Sequence, residues 1–297
     1  MGVVAVIGAK GAPGATTSVL ALAVSWPRPA LVVDADLAGG DVAAGWLAGR
    51  VGLDRGLLSF AAATRHAPRP TAPELAAHTV AVPDAPGVLL LPGLAHAGQA
   101  GALDEWVWAR LLGAASWPWP AADPAAGAGL VRLDVLADCG RAGAGAPWPL
   151  VSAAGAVLLV TRPTLRGVHH ARHTRDLTQA ALGDLGRVGL VVCGPGPYPA
   201  GEVARAVGLP LRAVLPDDPR AASVLSDGTT TAVRGWNRGR LGRAAATAAR
   251  ALSAVVAAEP PASWPDQPSD GTTAAMTASP SSWPSSWAPG EAAGTGR

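Results

Sequence analysis

Gly8-Ala9-Lys10-Gly11-Ala12-Pro13-Gly14-Ala15-Thr16-Thr17 is the stretch that decides how this chain is read. It follows a short apolar run at 3–7 and precedes Ser18-Val19-Leu20-Ala21-Leu22-Ala23-Val24. A buried strand, a glycine-rich turn and then Thr-Thr opening a helix together form an arrangement that binds phosphate. Glycines let backbone N–H groups curl around the anion, and the helix N-terminus adds its partial positive charge. Of the two threonines, Thr16 is placed to hold Mg²⁺. A glycine-rich turn alone would be weak; the strand before it and the apolar helix after it supply the context.

One residue in this turn stands apart. Lys10 is the only lysine in the chain, against 22 arginines. The composition accepts arginine elsewhere, so a compact ammonium inside the turn points to a chemical role.

Outward from the turn, apolar runs of strand length alternate with helix-like segments. Strands are expected at 3–7, 30–33, 88–91, 131–137, 156–160, 188–192 and 211–215. They are short, rich in Val and Leu, and continuous, as strands buried on both faces of a parallel sheet should be. Helices are expected at 16–24, 42–47, 56–64, 103–115, 165–182, 201–207, 220–225 and 241–257. That alternation predicts an α/β fold, a doubly wound, mostly parallel sheet with helices on both faces and right-handed crossovers. Ligands of such sheets bind outside the carboxyl ends of the strands. The stretch 116–129, with Trp117-Pro118-Trp119-Pro120, is expected to be irregular. Residues 1–258 form one domain in this reading, and 259–297, dominated by Pro, Ser, Thr, Ala and Gly, form a disordered tail.

Composition narrows the class. Hydrophobic residues make up 49% and charged residues 15%, yet no stretch approaches the roughly 20 strongly apolar residues that span a bilayer. The start breaks into glycine after a short run and lacks a basic segment, so it reads as a strand and not a signal peptide. Cys139 and Cys193 form no disulfide framework, which points to a reduced cytoplasm. A net charge of +2 gives no bulk reason to bind nucleic acid or membrane.

The turn resembles the deviant Walker A motif of the MinD/ParA group of P-loop ATPases, K-G-G-x-G-K-S/T-T. Lys10 falls on the signature lysine, which in that family reaches across a nucleotide-sandwich dimer to the partner's phosphates. Ala15 falls where the usual P-loop lysine stands. Further matches follow in family order. Leu31-Val32-Val33-Asp34-Ala35-Asp36 resembles the second strand and switch I, with Asp36 orienting the attacking water. Leu133-Asp134-Val135-Leu136-Ala137-Asp138-Cys139-Gly140 resembles the Walker B strand and switch II, with Asp138 as the carboxylate near Mg²⁺. Thr161-Arg162-Pro163 resembles a Thr-x-Pro turn, and Pro216-Asp217-Asp218-Pro219 the late turn beside the base. The family's adenine-contacting Asn has no match in Val191-Val192-Cys193-Gly194.

The resemblance covers about residues 1–258 and implies ATP and Mg²⁺ as cofactors. It implies a phosphate cradle of Lys10, Gly11, Ala12, Pro13, Gly14, Ala15, Thr16 and Thr17, with Pro216 beside the base. Thr16 and Asp138 would serve the metal, and Asp36 and Lys10 catalysis. Losing one charge-assisted hydrogen bond costs roughly 1.5–3 kcal/mol, so Ala15 should weaken phosphate binding by about one to two decades. Binding with slow or absent turnover is the expectation.

A retained signature lysine followed by a small residue looks most like the TadZ/CpaE branch, which positions tight-adherence pilus and secretion machinery. That implies a cytoplasmic homodimer held at the inner membrane face through partners, a secretion or pilus ATPase or a membrane assembly protein. Many of that branch carry an N-terminal receiver-like domain, and this chain starts its first strand at residue 3. Two other functions stay open. One is a partitioning ATPase binding DNA non-specifically through Arg234, Arg238, Arg240 and Arg243, which otherwise read as solvated surface. The other is a nucleotide-free scaffold. His169 and His173 share a helical face at i, i+4, but no nearby carboxylate completes a metal site. Helix 241–257 is too poor in bulky anchors to be a membrane-surface helix.

Overall fold

The computed structural model describes residues 1–11, 14–52, 54–67, 69–82, 85–120, 130–227 and 236–258. The expectations placed on Ala12, Pro13, Arg234, residues 121–129 and the tail 259–297 lie outside these.

The first strand, β1 (Val3–Gly8), is buried at every position. Val3, Ala5 and Ile7 point into one core and Val4 and Val6 into another, the period-two alternation of a strand with covered faces. Beyond it come α1 (Ala15–Val24), β2 (Ala30–Asp34), α2 (Leu57–Thr64), α3 (Ala72–Ala76), β3 (Val80–Ala81), β4 (Val88–Leu91) and α4 (Val107–Ala115). Next are β5 (Trp119–Pro120), β6 (Leu130–Val131), β7 (Asp134–Arg141), α5 (Trp148–Ser152), β8 (Ala156–Thr161) and α6 (Leu165–Leu182). The chain then runs through β9 (Val188–Cys193), α7 (Ala200–Val207), β10 (Leu211–Leu215), α8 (Pro219–Ser226) and α9 (Arg240–Ala258).

Eight strands form one sheet in the order β10-β9-β8-β1-β7-β2-β4-β3. Every pairing in it is parallel except β3 with β4. The chain leaves β1 toward β2 and later returns to add β8 on β1's other flank. That reversal opens a crevice at the carboxyl end of β1. One core holds Phe60, Leu75, Leu111, Leu150, Ala171 and Val203, so α2 to α7 cover that face. The other holds Val19, Leu22, Leu225, Ala245 and Leu252, so α1, α8 and α9 cover the opposite face. The expected doubly wound α/β sheet is the observed one.

Several boundaries differ from the sequence reading. Residues 42–47 do not form a helix; 41–49 is a succession of turns. Positive φ at Gly39 before this segment, and at Ala48 and Gly49 at its end, takes the chain out of helical conformation on both sides of it. Trp46 and Leu47 are buried all the same. The strand expected at 131–137 divides: β6 pairs with β5 in a two-stranded ribbon, and β7 starts at Asp134 and runs to Arg141. Trp119–Pro120 is therefore regular, against the expectation for 116–129. Helix α4 starts at Val107, behind a 3₁₀ turn at Ala97–Ala102, instead of at 103.

Asp134 secures the amino end of the sheet. Its carboxylate accepts from Gly2 N at 2.6 Å, Trp26 Nε1 at 2.8 Å and Arg28 Nε at 2.7 Å. Helix α9 buries Leu241, Ala245, Ala248, Ala249, Leu252 and Val256 against this body. The alanines at 245, 248 and 249 are packing residues. Among the described residues no helix is long and apolar enough to cross a membrane.

Candidate phosphate and metal site

The loop after β1 leaves the sheet under control of the backbone. Ala9 N donates to Val160 O at 3.0 Å, which carries the β1–β8 ladder one residue past Gly8. The chain then turns through Gly11 at φ 71° and Gly14 at φ 109°, conformations an L side chain adopts only under strain. Among the described residues, chain neighbours apart, no atom lies within 4 Å of where a Cβ would stand on either glycine. Among the described residues both glycines therefore border open space.

Gly14 caps α1 without a side chain, and the first turn carries no acidic residue. Its N–H groups have no intrahelical acceptor, so they offer an anion site. Gly14 O accepts both Ser18 N at 2.8 Å and Ser18 Oγ at 2.6 Å, which pins the helix start. Thr16 and Thr17 stand half-buried in this first turn, and Ala15 leaves it without a cation. Lys10 is exposed at the outer lip. It lies near the start of α6, where the His170 imidazole is held below its ordinary value by desolvation and then by the charges of His169, Lys10, Arg166 and His173.

The acidic side of the crevice is built from the ends of β7 and β2. Asp138 is buried, accepts from Gly140 N at 3.1 Å and bonds the Thr16 side chain. Burial pushes its carboxyl above the usual range, and the charges of Asp36 and Asp41 add to this. Thr16 and Asp138 are thus brought together. Asp36 lies alongside: its Oδ1 accepts from Ala38 N at 2.8 Å, and its carboxylate packs on Gly140. A Cβ on Gly140 would stand 2.3 Å from Asp36 Cγ, so only glycine lets the segments that follow β2 and end β7 approach here.

The sequence reading gave Asp34 no role, yet it is the most perturbed carboxyl in this cluster. It pairs in register with Asp138 and is 1% exposed. It is wedged between Gly40 and Gly93, where a Cβ would stand 1.9 Å and 2.6 Å from it. Neither oxygen has a partner in hydrogen-bonding geometry among the described residues. Burial first, then the Asp138 charge, pushes it up to about 8, and the Asp36 and Val42 amides offset this only in part.

The other side of the crevice is formed by the ends of β8, β9 and β10. Gly194 N donates to Leu215 O at 3.1 Å, which sets half-buried Pro216 beside Gly194. Cys193 Sγ lies 3.3 Å from Ser18 Oγ, and burial pushes its thiol up to about 11. Arg162 lies against Gly194 with its Nε buried and unpartnered among the described residues. Sequence reasoning missed Arg162 as well, although its place inside Thr161-Arg162-Pro163 was visible. Cys139 is buried in the core and its thiol is raised well above the ordinary value, so it is inert packing.

The residues present fit a magnesium nucleotide: an open backbone cradle, a helix N-terminus and a hydroxyl–carboxylate pair beside them. Magnesium characteristically takes only one or two protein ligands plus substrate phosphates. Among the described residues no group of three or more His, Cys, Asp or Glu is placed to hold a metal ion. The His169 and His170 rings pack edge to face at 5.3 Å. Arg238, Arg240 and Arg243 are exposed.

No protein-family model matches this chain, and no curated protein does. Solved structures do. The ParA family ATPase of Chlorobium tepidum TLS superposes with a TM-score of 0.65 at 16% identity, over 84% of this chain and 98% of that one. The cell division ATPase MinD of Pyrococcus furiosus gives 0.64 at 20% identity, over 86% and 99%. The septum site-determining protein MinD of Pyrococcus horikoshii OT3, complexed with Mg-ADP, gives 0.60 at 18% identity, over 84% and 95%. The chain has the fold of these MinD and ParA ATPases.

Proposed function

We propose, from a chain with the fold of the MinD and ParA ATPases, a nucleotide-dependent dimeric positioning or assembly factor of that group. The observation that carries this is the open cradle at Gly11 and Gly14, facing a helix N-terminus and the Thr16–Asp138 pair. Gly11, Gly14 and the first-turn amides of α1 hold phosphate, with Ala12, Pro13, Ala15 and Thr17 completing the loop. Thr16 and Asp138 hold Mg²⁺, which when bound would neutralise phosphate charge. Pro216 flanks the base.

Lys10 reaches the phosphates bound by a second copy of the chain, so nucleotide joins the two. Asp36 orients water for hydrolysis. With Ala15 in place of a cation, transition-state charge is met by fewer donors, and turnover is slow or absent. The pairing of Lys10 with a small residue at position 15 supports the TadZ/CpaE branch. Its work there is placing a pilus or secretion ATPase, or a membrane assembly protein, at the inner face of the cell membrane. Residues 1–258 are the working domain in this reading and 259–297 a tail.

Calorimetric titration with Mg-ATP tests the reading. Saturable binding at one site per chain is the expected result, and absence of heat up to millimolar nucleotide sinks it in favour of a scaffold. Exposed Arg238, Arg240 and Arg243 support a second reading, a partitioning ATPase on non-specific DNA. That reading needs a salt-sensitive DNA shift together with measurable ATP turnover.

A further inference from the structure

A cavity of about 270 Å³ lies between α9 and the sheet, at the amino ends of β8 and β9 and so away from the crevice. Its apolar wall is Leu158 of β8 with Leu252 and Val255 of α9, and its charged wall is Arg187 and Arg212. None of these residues belongs to the phosphate and metal site.

The charged wall is held by the backbone around it. Arg187 Nη1 donates to Ala154 O at 3.1 Å. The β9–β10 ladder shifts register at Arg212, and the stem of that side chain lies across Gly189, where a Cβ would stand 2.2 Å from Arg212 Cγ. Among the described residues neither arginine has a carboxylate partner. Close by, Leu211 and Val214 of β10 and Val255 of α9 are exposed. Two uncompensated cations beside open aliphatic surface fit an occupant that offers an apolar ring and a carboxylate.

The chain carries such a segment just beyond α9. That helix ends at Ala258, three residues past Val255, or about 4.5 Å along its axis. A further 39 residues follow. Residues 1–258 hold 22 cations against 17 carboxylates, whereas residues 259–297 hold four carboxylates against one arginine. The two parts are therefore of opposite sign. Trp264 is the first bulky apolar residue after α9, and Asp266 stands two places beyond it. The six residues from Ala258 to Trp264 reach up to about 20 Å, enough to return to the mouth of a cavity that α9 itself lines. Trp283-Pro284-Ser285 and Trp287-Ala288-Pro289 offer the ring without the carboxylate.

We infer that Trp264-Pro265-Asp266 docks in this cavity of its own chain. The indole covers Leu252 and Val255 and stacks on a guanidinium, and the Asp266 carboxylate meets Arg212 and Arg187. The inference is independent of nucleotide binding, because the cavity lies at the opposite end of the strands.

The test is the rate at which a maleimide labels a thiol placed at the mouth. Val255→Cys supplies that thiol in the full chain, and Cys139 and Cys193 are buried. Labelling is followed by mass spectrometry for Val255→Cys alone and with Trp264→Ala or Arg212→Gln added. Each addition should speed labelling by about threefold or more. Removing a nearby cation by itself slows a thiol, so a gain in Arg212→Gln reports uncovering. Trp264→Ala lies beyond the last helix, which keeps the test open should Arg212→Gln disturb folding. Equal rates in Val255→Cys with and without Trp264→Ala overturn the inference. A rate that rises on dilution of the protein makes a second copy's tail the occupant and overturns docking within one chain.

Discussion

Asp34 and Asp138 face each other on neighbouring strands, both almost wholly buried, and the Asp34 carboxyl lacks a hydrogen-bond partner among the described residues. Two anions cannot share that place without metal or proton. Asp34 holds its proton up to about pH 8 in the folded chain, against about 3.8 in the open chain. Between those values the unfolded chain has lost a proton that the native chain keeps. Stability without metal should therefore fall as pH rises through this window. Asp34→Asn removes the ionisation and should raise stability at pH 8 by at least about 1 kcal/mol, with little change at pH 4. Urea unfolding at several pH values, without Mg²⁺ or nucleotide, measures this; parallel curves for the two proteins would refute it.

Lys10→Ala should leave unfolding unchanged within about 0.5 kcal/mol, because the side chain is exposed. It should nevertheless abolish nucleotide-induced dimerisation. Sedimentation with and without Mg-nucleotide separates the two effects, and an unchanged dimer fraction would count decisively against a role in trans.

Ala15→Lys returns a cation to the first turn of α1, at the edge of the open cradle. Nucleotide affinity should rise by about ten- to a hundredfold, the size of one charge-assisted hydrogen bond. Titration of the variant beside the natural chain is sufficient. No gain would mean that the cradle is not where phosphate sits.

Asp134→Ala removes the acceptor of three donors, Gly2 N, Trp26 Nε1 and Arg28 Nε. Breaking a buried, charged network of this kind costs about 3 kcal/mol or more. The loss should be visible in urea unfolding and should be the same with and without nucleotide, since the network lies at the amino end of the strands. A loss below about 1 kcal/mol would show that water replaces the carboxylate there.

The strands were legible because burial on both faces imposes continuous apolar runs, as in Leu31-Val32-Val33 and Leu158-Leu159-Val160. Where strands are short or lie at an edge, that signal is missing. Val80–Ala81 went unseen, and Leu130–Val131 merged with the true start of β7 at Asp134. Short helices opened by proline were missed for a similar reason, although the Thr71–Glu74 capping pair, with Thr71 N donating to Glu74 Oε2 at 2.6 Å, was written in the sequence. Residues 41–49 misled because their apolar spacing is helical while their glycines are not. Around the crevice, the nearness of Thr16, Asp36 and Asp138 to one another was readable from order along the chain. The burial of Asp34 beside Asp138, and of the Arg162 Nε, was not, because both follow from packing that exists only after folding.

Lys10 carries one more consequence. Within these 297 residues it supplies the sole ε-amine, and it is exposed at the lip of the cradle. Any acylating reagent or enzyme that modifies lysine side chains must therefore act on this loop or nowhere. Capping that single nitrogen removes its positive charge, so lysine acylation of this chain yields one defined product instead of a mixture. The same nitrogen also gives the bench a single side-chain amine for a dye or cross-linker, site-specific once the α-amine is blocked.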